Sequence, residues 1–179
     1  MPPKKTWIAF WDLQCPYSKA NWKHWPALKE AFGSDYDMTV KITSLAFHPQ
    51  AFTAQSAFSL IETKKGRPMA FKFVDACFEN QESFMNAAIG DARKSEVDSV
   101  FASIAEKAQV FEDDSFTRAD FLSNLHNWDM AVKPAYTEHK IAMAAGVFGT
   151  PKHVIENQLV ADTESAWGVE EWKEKLKTL

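Results

Sequence analysis

The fold of this chain is decided by one stretch, residues 10–18, which reads FWDLQCPYS. The apolar run from Trp7 to Trp11 leads into it and is typical of a buried β-strand. Cys15 then stands where a helix should begin, because Pro16 suits the first helical position. A thiol at a helix N-terminus meets free backbone N–H groups and the positive end of the helix dipole. The stretch therefore predicts a nucleophilic Cys15, and the alternative is a buried cysteine that only fills space.

The rest of the chain predicts an α/β order. Residues 38–43, MTVKIT, alternate apolar and polar side chains, which indicates a second strand with one better-buried face. Strand, helix and strand form a βαβ unit, so the two strands should be parallel with a right-handed crossover. A long helical pattern follows. Residues 153–161 then predict a hairpin of two short strands, and Gly168 precedes a closing helix.

The helical pattern carries its own start and stop signals. Ser95 with Asp98 and Thr117 with Asp120 have the spacing of capping boxes, so each pair predicts the first turn of a helix. Gly146 predicts the end of the last helix in this segment, because glycine readily follows a helix C-terminus.

Three residues are expected near the thiol. Ser18 lies about one helical turn after Cys15, so we expect its hydroxyl to donate a hydrogen bond to the Cys15 sulfur. The alternative is an ordinary polar residue of the first turn. His48 follows the second strand at the sheet edge that also holds the N-terminus of the crossover helix. His48 is therefore a candidate base or ligand contact, with an ordinary loop histidine as the alternative. Tyr17 is either a packing residue or a substrate contact.

The order strand, Cys-Pro-x-x, helix resembles the thioredoxin superfamily, and the whole chain resembles its DsbA branch. That branch includes the kappa-class glutathione transferases and the 2-hydroxychromene-2-carboxylate isomerases. A second anchor, GVFGTPKHVI at residues 146–155, resembles the stretch in which the family carries a cis-proline facing the active-site residue. The resemblance implies an α/β thioredoxin fold, β-α-β … β-β-α, with a large all-helical insertion. It implies one domain, with a thioredoxin core at residues 1–48 and 147–179 and the insertion at residues 49–146.

The resemblance also implies a site and an activity. A cis Pro151 would expose the backbone of Thr150 to an extended peptide or to glutathione, and Pro16 and Tyr17 would tune the thiol and contact substrate. In dithiol relatives a second cysteine stands where this chain has Ser18, so Cys15 cannot close a Cys-x-x-Cys disulfide. We therefore expect a thiol-disulfide oxidoreductase that acts through a single cysteine, with glutathione or a protein thiol as second substrate.

Two alternatives remain open. Kappa-like relatives commonly carry serine where this chain has Cys15, which implies a transferase or isomerase that binds glutathione and only stabilises its thiolate. A non-catalytic binding module that kept the fold is the second alternative.

Composition narrows the partners. The 179 residues carry a formal net charge of −4, which argues against nucleic acid and against an anionic membrane. The two cysteines, Cys15 and Cys77, suggest neither a disulfide framework nor a metal site, and we expect Cys77 to be buried without a redox role. The N-terminus has no signal-peptide pattern, so we expect a cytoplasmic protein. Aromatic residues in the helical segment suggest a homodimer.

Overall fold

The computed structural model describes residues 3–179, and its centre is a four-stranded mixed sheet. The strands are β1 (Lys5–Trp11), β2 (Tyr36–Ile42), β3 (Lys152–Ile155) and β4 (Gln158–Leu159). They lie in the order β2-β1-β3-β4. β1 is parallel to β2 and antiparallel to β3, and β4 is antiparallel to β3.

Helices connect and cover these strands. In the described residues they are α1 (Pro16–Phe32), α2 (Ala51–Lys65), α3 (Arg67–Glu79), α4 (Asn86–Ile89), α5 (Lys94–Lys107), α6 (Arg118–Asn124), α7 (Lys133–Ala144) and α8 (Val169–Leu176). A 3₁₀ turn (Gln81–Phe84) precedes α4, and a π-helical turn (Trp128–Val132) precedes α7. Helices α2 to α7 all lie between β2 and β3, so the predicted order of β-α-β, helical insertion and β-β-α is confirmed. Among these helices none has the length and apolar character that a membrane span needs.

The position of β1 explains its apolar sequence. It pairs with a neighbour on each edge, and the side chains of Trp7, Ala9, Phe10 and Trp11 are buried. A strand that is covered on both faces has no solvated side to fill with polar residues. The polar residues come directly after it, where the chain leaves the sheet.

One of the two predicted capping boxes is wrong. Helix α5 begins at Lys94, and the N–H of Arg93 donates to the Glu96 carboxylate at 2.7 Å, so the Ser95–Asp98 pair does not cap it. The second capping box is confirmed, because Thr117 and Asp120 bond each other reciprocally at the start of α6.

The predicted end of the last helix in the insertion is confirmed. Helix α7 ends at Ala144, and Gly146 follows with a φ of 76°. This left-handed conformation favours glycine and lets the chain turn out of the helix toward β3. The turn matters for the site, because the segment that follows brings Thr150 and Pro151 to the sheet.

Candidate active site

Cys15 stands at the N-cap of α1, as the sequence predicts, with Pro16 as the first helical residue. A tight turn holds it there, because the N–H of Cys15 donates to the carbonyl of Asp12 at 3.0 Å. Its thiol donates to the carbonyl of Thr150 at 3.3 Å, and the Thr150–Pro151 peptide bond is cis. The two sequence anchors, which are 135 residues apart, thus meet at the sulfur.

The thiol borders a pocket of about 440 Å³. Its walls are mainly apolar, and they are formed by Gln14, Cys15, Pro16, Tyr17, Leu45, Phe47, His48, Met85, Asn86, Ala87, Gly149 and Thr150. Only 2% of the Cys15 surface is exposed, so a reacting group must enter this pocket to reach the sulfur. The pocket is lined by the loops that follow β1 and β2, the start of α1, the segment before β3, and residues 85–87 of the helical insertion.

Most of the predicted site residues come together here. Pro16, Tyr17, His48 and Thr150 line the same pocket as Cys15. Pro151 lines an adjoining surface pocket, and Tyr17 and Thr150 line both pockets. Two of the lining residues, Tyr17 and Phe47, are aromatic and about two-thirds exposed, at 65% and 66%.

The predicted role of Ser18 is wrong in its geometry. The side chain is fully buried, and its Oγ accepts a hydrogen bond from the N–H of Asp12 at 3.2 Å. The hydrogen bonds among residues 3–179 do not include one from Ser18 to the Cys15 sulfur, which donates to Thr150 instead. Ser18 therefore supports the turn behind the thiol and does not touch the reacting atom.

Asp12 is the residue that sequence reasoning missed. Its carboxylate is fully buried and accepts from the N–H of Gln14 at 2.7 Å, from the N–H of Leu45 at 2.8 Å and from His48 Nδ1 at 2.8 Å. A buried carboxylate is tolerated when such donors surround it. An acidic residue directly after an apolar strand and three residues before the cysteine was the available signal.

Two glutamines tie the insertion to the Cys15 loop. Gln81 donates through Nε2 to the carbonyls of Leu13 at 2.9 Å and Cys15 at 3.0 Å. Gln14 donates to the carbonyl of Phe84 at 2.9 Å and accepts from the N–H of Gln50 at 2.9 Å. These contacts link positions far apart in the chain, and no local pattern identifies them.

Cys77 lies apart from this site. It is fully buried within α3, and burial raises the pKa of its thiol well above the ordinary value. Both cysteines are free thiols. A protonated thiol in an apolar core is a poor nucleophile, so Cys77 behaves as a packing residue.

No protein-family model matches the sequence, and no curated protein matches it. Solved structures do. A candidate protein-disulfide isomerase from Pseudomonas syringae is similar with a TM-score of 0.74 and 16% identity, covering 96% of this chain and 93% of that one. BdbD from Bacillus subtilis is similar with a TM-score of 0.70 and 15% identity, covering 97% of this chain and 86% of that one. DsbA from Pseudomonas aeruginosa is similar with a TM-score of 0.63 and 18% identity, covering 99% of this chain and 82% of that one.

These comparisons identify the fold of the chain. This chain has the DsbA-like thioredoxin fold, as the sequence resemblance implies, because the likeness covers at least 96% of this chain and at least 82% of each of the three structures. At these identities the likeness shows the fold, and the activity must be argued from Cys15 and its pocket.

Proposed function

We propose that this protein is a thiol-disulfide oxidoreductase that acts through the single nucleophile Cys15. The observation that carries the proposal is the placement of the Cys15 thiol. It stands at the N-terminus of a 17-residue helix, borders an apolar pocket and lies 3.3 Å from the Thr150 carbonyl. A sulfur at a helix N-terminus that a substrate can reach is the arrangement that thiol exchange requires.

The backbone beside the thiol supports substrate binding. Thr150 lines both the main pocket and the adjoining one, so an extended segment that crosses from one to the other passes its backbone. Main-chain groups of this kind can pair with a bound peptide as a strand edge does. Pro16, Tyr17 and Pro151 form the surfaces next to that path, in their predicted roles as substrate contacts.

The second substrate is a thiol from outside the chain, because Ser18 replaces a resolving cysteine and Cys77 is sealed in the core. Glutathione and a protein thiol are the two candidates. The described residues that line the main pocket include no lysine or arginine, and Lys152 stands in the adjoining pocket. Glutathione carries two carboxylates, so this mainly apolar lining favours an apolar protein segment as the thiol carrier in the cell, and oxidised glutathione at high concentration serves as a small disulfide probe of the same sulfur.

Intact mass spectrometry after treatment with oxidised glutathione tests the proposal. We expect one glutathione adduct on the native protein at neutral pH, the same adduct on Cys77→Ala, and none on Cys15→Ser. Cys15 should also react with iodoacetamide at least 100 times faster than Cys77, since only Cys15 borders the pocket. A native protein without an adduct, or an adduct on Cys77, would contradict the proposal.

The same variants separate the alternatives. A kappa-like transferase predicts that Cys15→Ser retains conjugation of an electrophile in the presence of glutathione. A binding module predicts no adduct and no conjugation in either protein.

A homodimer and a cytoplasmic location stay predictions. Sedimentation of the purified protein tests the first, and imaging of a tagged chain tests the second.

A further inference from the structure

The contact between His48 and Asp12 fixes which ring nitrogen carries the proton. His48 Nδ1 lies 2.8 Å from Asp12 Oδ2, and the carboxylate has 0% exposure. An ionised carboxylate only accepts hydrogen bonds, so Nδ1 must be the donor. The neutral ring then carries its lone pair on Nε2, the atom that acts as a base.

Asp12 also joins this ring to the thiol. Its carbonyl accepts from the N–H of Cys15, its N–H donates to Ser18, and its carboxylate accepts from the N–H of Leu45, three residues before His48. One residue therefore sets the position of the cysteine turn and of the histidine loop. His48 and Cys15 line the same pocket as a result.

The thiol needs such a base. Cys15 Sγ donates to the Thr150 carbonyl, and a carbonyl oxygen can accept only from the protonated form of the thiol. The proton must leave before the sulfur can attack, because the thiolate is the nucleophile.

We propose that Asp12 is a positioning residue for His48, and that His48 moves the proton of the reacting thiols during disulfide exchange. This inference rests on the proposed function. His48 Nε2 takes the proton from Cys15 Sγ, directly or through one water, and the imidazolium is stabilised by the Asp12 carboxylate.

The exchange then balances as follows. The Cys15 thiolate attacks one sulfur of a substrate disulfide, a new bond forms between that sulfur and Cys15 Sγ, and the substrate disulfide bond breaks. The leaving sulfur keeps the electron pair and takes the proton from His48. An outside thiol then gives its proton to His48, and its sulfur attacks the substrate sulfur of the mixed disulfide. A new disulfide forms between these two sulfurs, the bond to Cys15 Sγ breaks, and the released Cys15 thiolate takes the proton from His48. The sulfur that left in the first step is thereby reduced and the sulfur of the outside thiol is oxidised.

Few other titratable groups face this pair. Within the described residues the main pocket is lined by the ionisable groups of Cys15, Tyr17 and His48, with Asp12 behind the ring. The adjoining pocket adds Lys152 and Glu164. The ring of Phe47 packs against His48 at 4.6 Å between centroids and covers one side of it.

A double-mutant cycle tests the inference, with the rate of the oxidised-glutathione adduct on Cys15 measured from pH 5 to 9. In His48→Asn the amide nitrogen can still donate to Asp12, but the base is gone. We expect this variant to form the adduct roughly tenfold or more slowly near neutral pH. Asp12→Asn removes the negative charge that stabilises the imidazolium, even when its amide oxygen still accepts from Nδ1 and from the N–H of Leu45, so we expect a similar loss. Both differences should shrink at alkaline pH, where the thiol ionises without help.

The combined variant separates positioning from a structural effect. If Asp12 acts through His48, Asp12→Asn in the His48→Asn background should slow the reaction by no more than about twofold. Asp75→Asn makes the same change at a carboxylate outside the pocket and should leave the pH profile unchanged. Losses that multiply, or single variants as fast as the native protein, would overturn the inference while the native adduct still stands. A native protein that forms no adduct would instead remove the proposed function itself.

Discussion

Two histidines with little exposure lie near β1, one beyond its last residue and one on the neighbouring strand β3, and they use the same ring nitrogen in opposite ways. His48 lies beyond the last residue of the strand, and its Nδ1 donates to the Asp12 carboxylate. His153 lies in β3 opposite Ala9 of β1, and its Nδ1 accepts from the indole N–H of Trp7 at 3.0 Å. The first environment is a set of polar groups behind a pocket, and the second is a cluster of indole rings.

Burial and the hydrogen-bond partner together set what each ring can do. An indole donates only, so its hydrogen bond with His153 requires a neutral ring. Burial among Trp7, Trp25 and Trp172, with the nearby Lys152 charge, lowers the pKa of His153 to about 3. The Asp12 carboxylate is instead able to stabilise a charged ring. The environment of His153 therefore excludes a proton, and the environment of His48 is the one for which we propose proton exchange.

The largest expected effect concerns His153 and the stability of the fold at low pH. Its pKa is about 3 when folded and near the ordinary 6.5 when unfolded, so the unfolded chain binds the extra proton between these values. Stability is therefore complete above about pH 6.5 and falls as the pH falls toward 3. The loss over this window should be on the order of 4 kcal/mol, which urea denaturation at a series of pH values measures.

His153→Gln is the matched variant, because its side-chain oxygen can still accept from Trp7. It should be less stable at neutral pH, since it loses the ring that packs against Trp172 at 4.6 Å between centroids. Its stability should fall less steeply than that of the native protein between pH 6.5 and 3. Parallel curves for the two proteins would show that His153 takes up its proton in the folded state and would end the contrast with His48.

A smaller effect is expected in the loop between β1 and α1, which holds Cys15. Gln81→Leu removes the donor to two buried carbonyls, those of Leu13 and Cys15. Buried acceptors that lose their partner are costly, so we expect a loss of about 2 kcal/mol in the free energy of unfolding. The exposed Gln158 in β4 provides the control, and Gln158→Leu should change stability by less than about 0.5 kcal/mol. Equal effects of the two substitutions would show that the stability of the Cys15 loop does not depend on the hydrogen bonds from Gln81.

The fold was predictable because its signals are local. The apolar β1, the proline after Cys15, the Thr117–Asp120 box and Gly146 each act within a few residues, and the order of elements follows from them. The Ser95–Asp98 box failed because Glu96 lies one turn from Arg93 and its carboxylate reaches that N–H first. Competing caps two residues apart are not distinguished by spacing alone.

The site was predictable only in part. The sequence placed Cys15 and the residues around it, and the resemblance added Thr150 and Pro151. It did not identify Asp12, whose partners come from the loop after β2, or Gln81, which reaches the Cys15 loop from 66 residues away. The Ser18 hydroxyl turned toward Asp12 because that buried N–H offers a donor within reach. Long-range hydrogen bonds of this kind depend on the packed structure and leave no periodic pattern.

Another pair of a carboxylate and a ring sharpens the comparison, and it carries the smallest expected effect. Asp75 accepts from the indole N–H of Trp22 at 2.7 Å near the surface. Burial raises the pKa of Asp75, the Trp22 hydrogen bond opposes this, and the nearby Glu79 charge adds to it. A raised folded pKa means that the ionised carboxylate is disfavoured in the fold, so this cost is absent at low pH and grows as the pH rises past the unfolded value.

Asp75→Asn keeps an acceptor for Trp22 and removes that charge. We expect it to stabilise the protein at pH 7 by less than about 1 kcal/mol, because the group is partly solvated and its electrostatic cost is screened. The gain should vanish near pH 3, where the native carboxyl is protonated too. A loss of stability at pH 7 would mean that the charge itself strengthens the bond to the indole. In that case the ionised carboxylate of Asp75 would stabilise the fold through its hydrogen bond by more than its partial burial destabilises it. Burial alone would then not explain how Asp12 differs from Asp75.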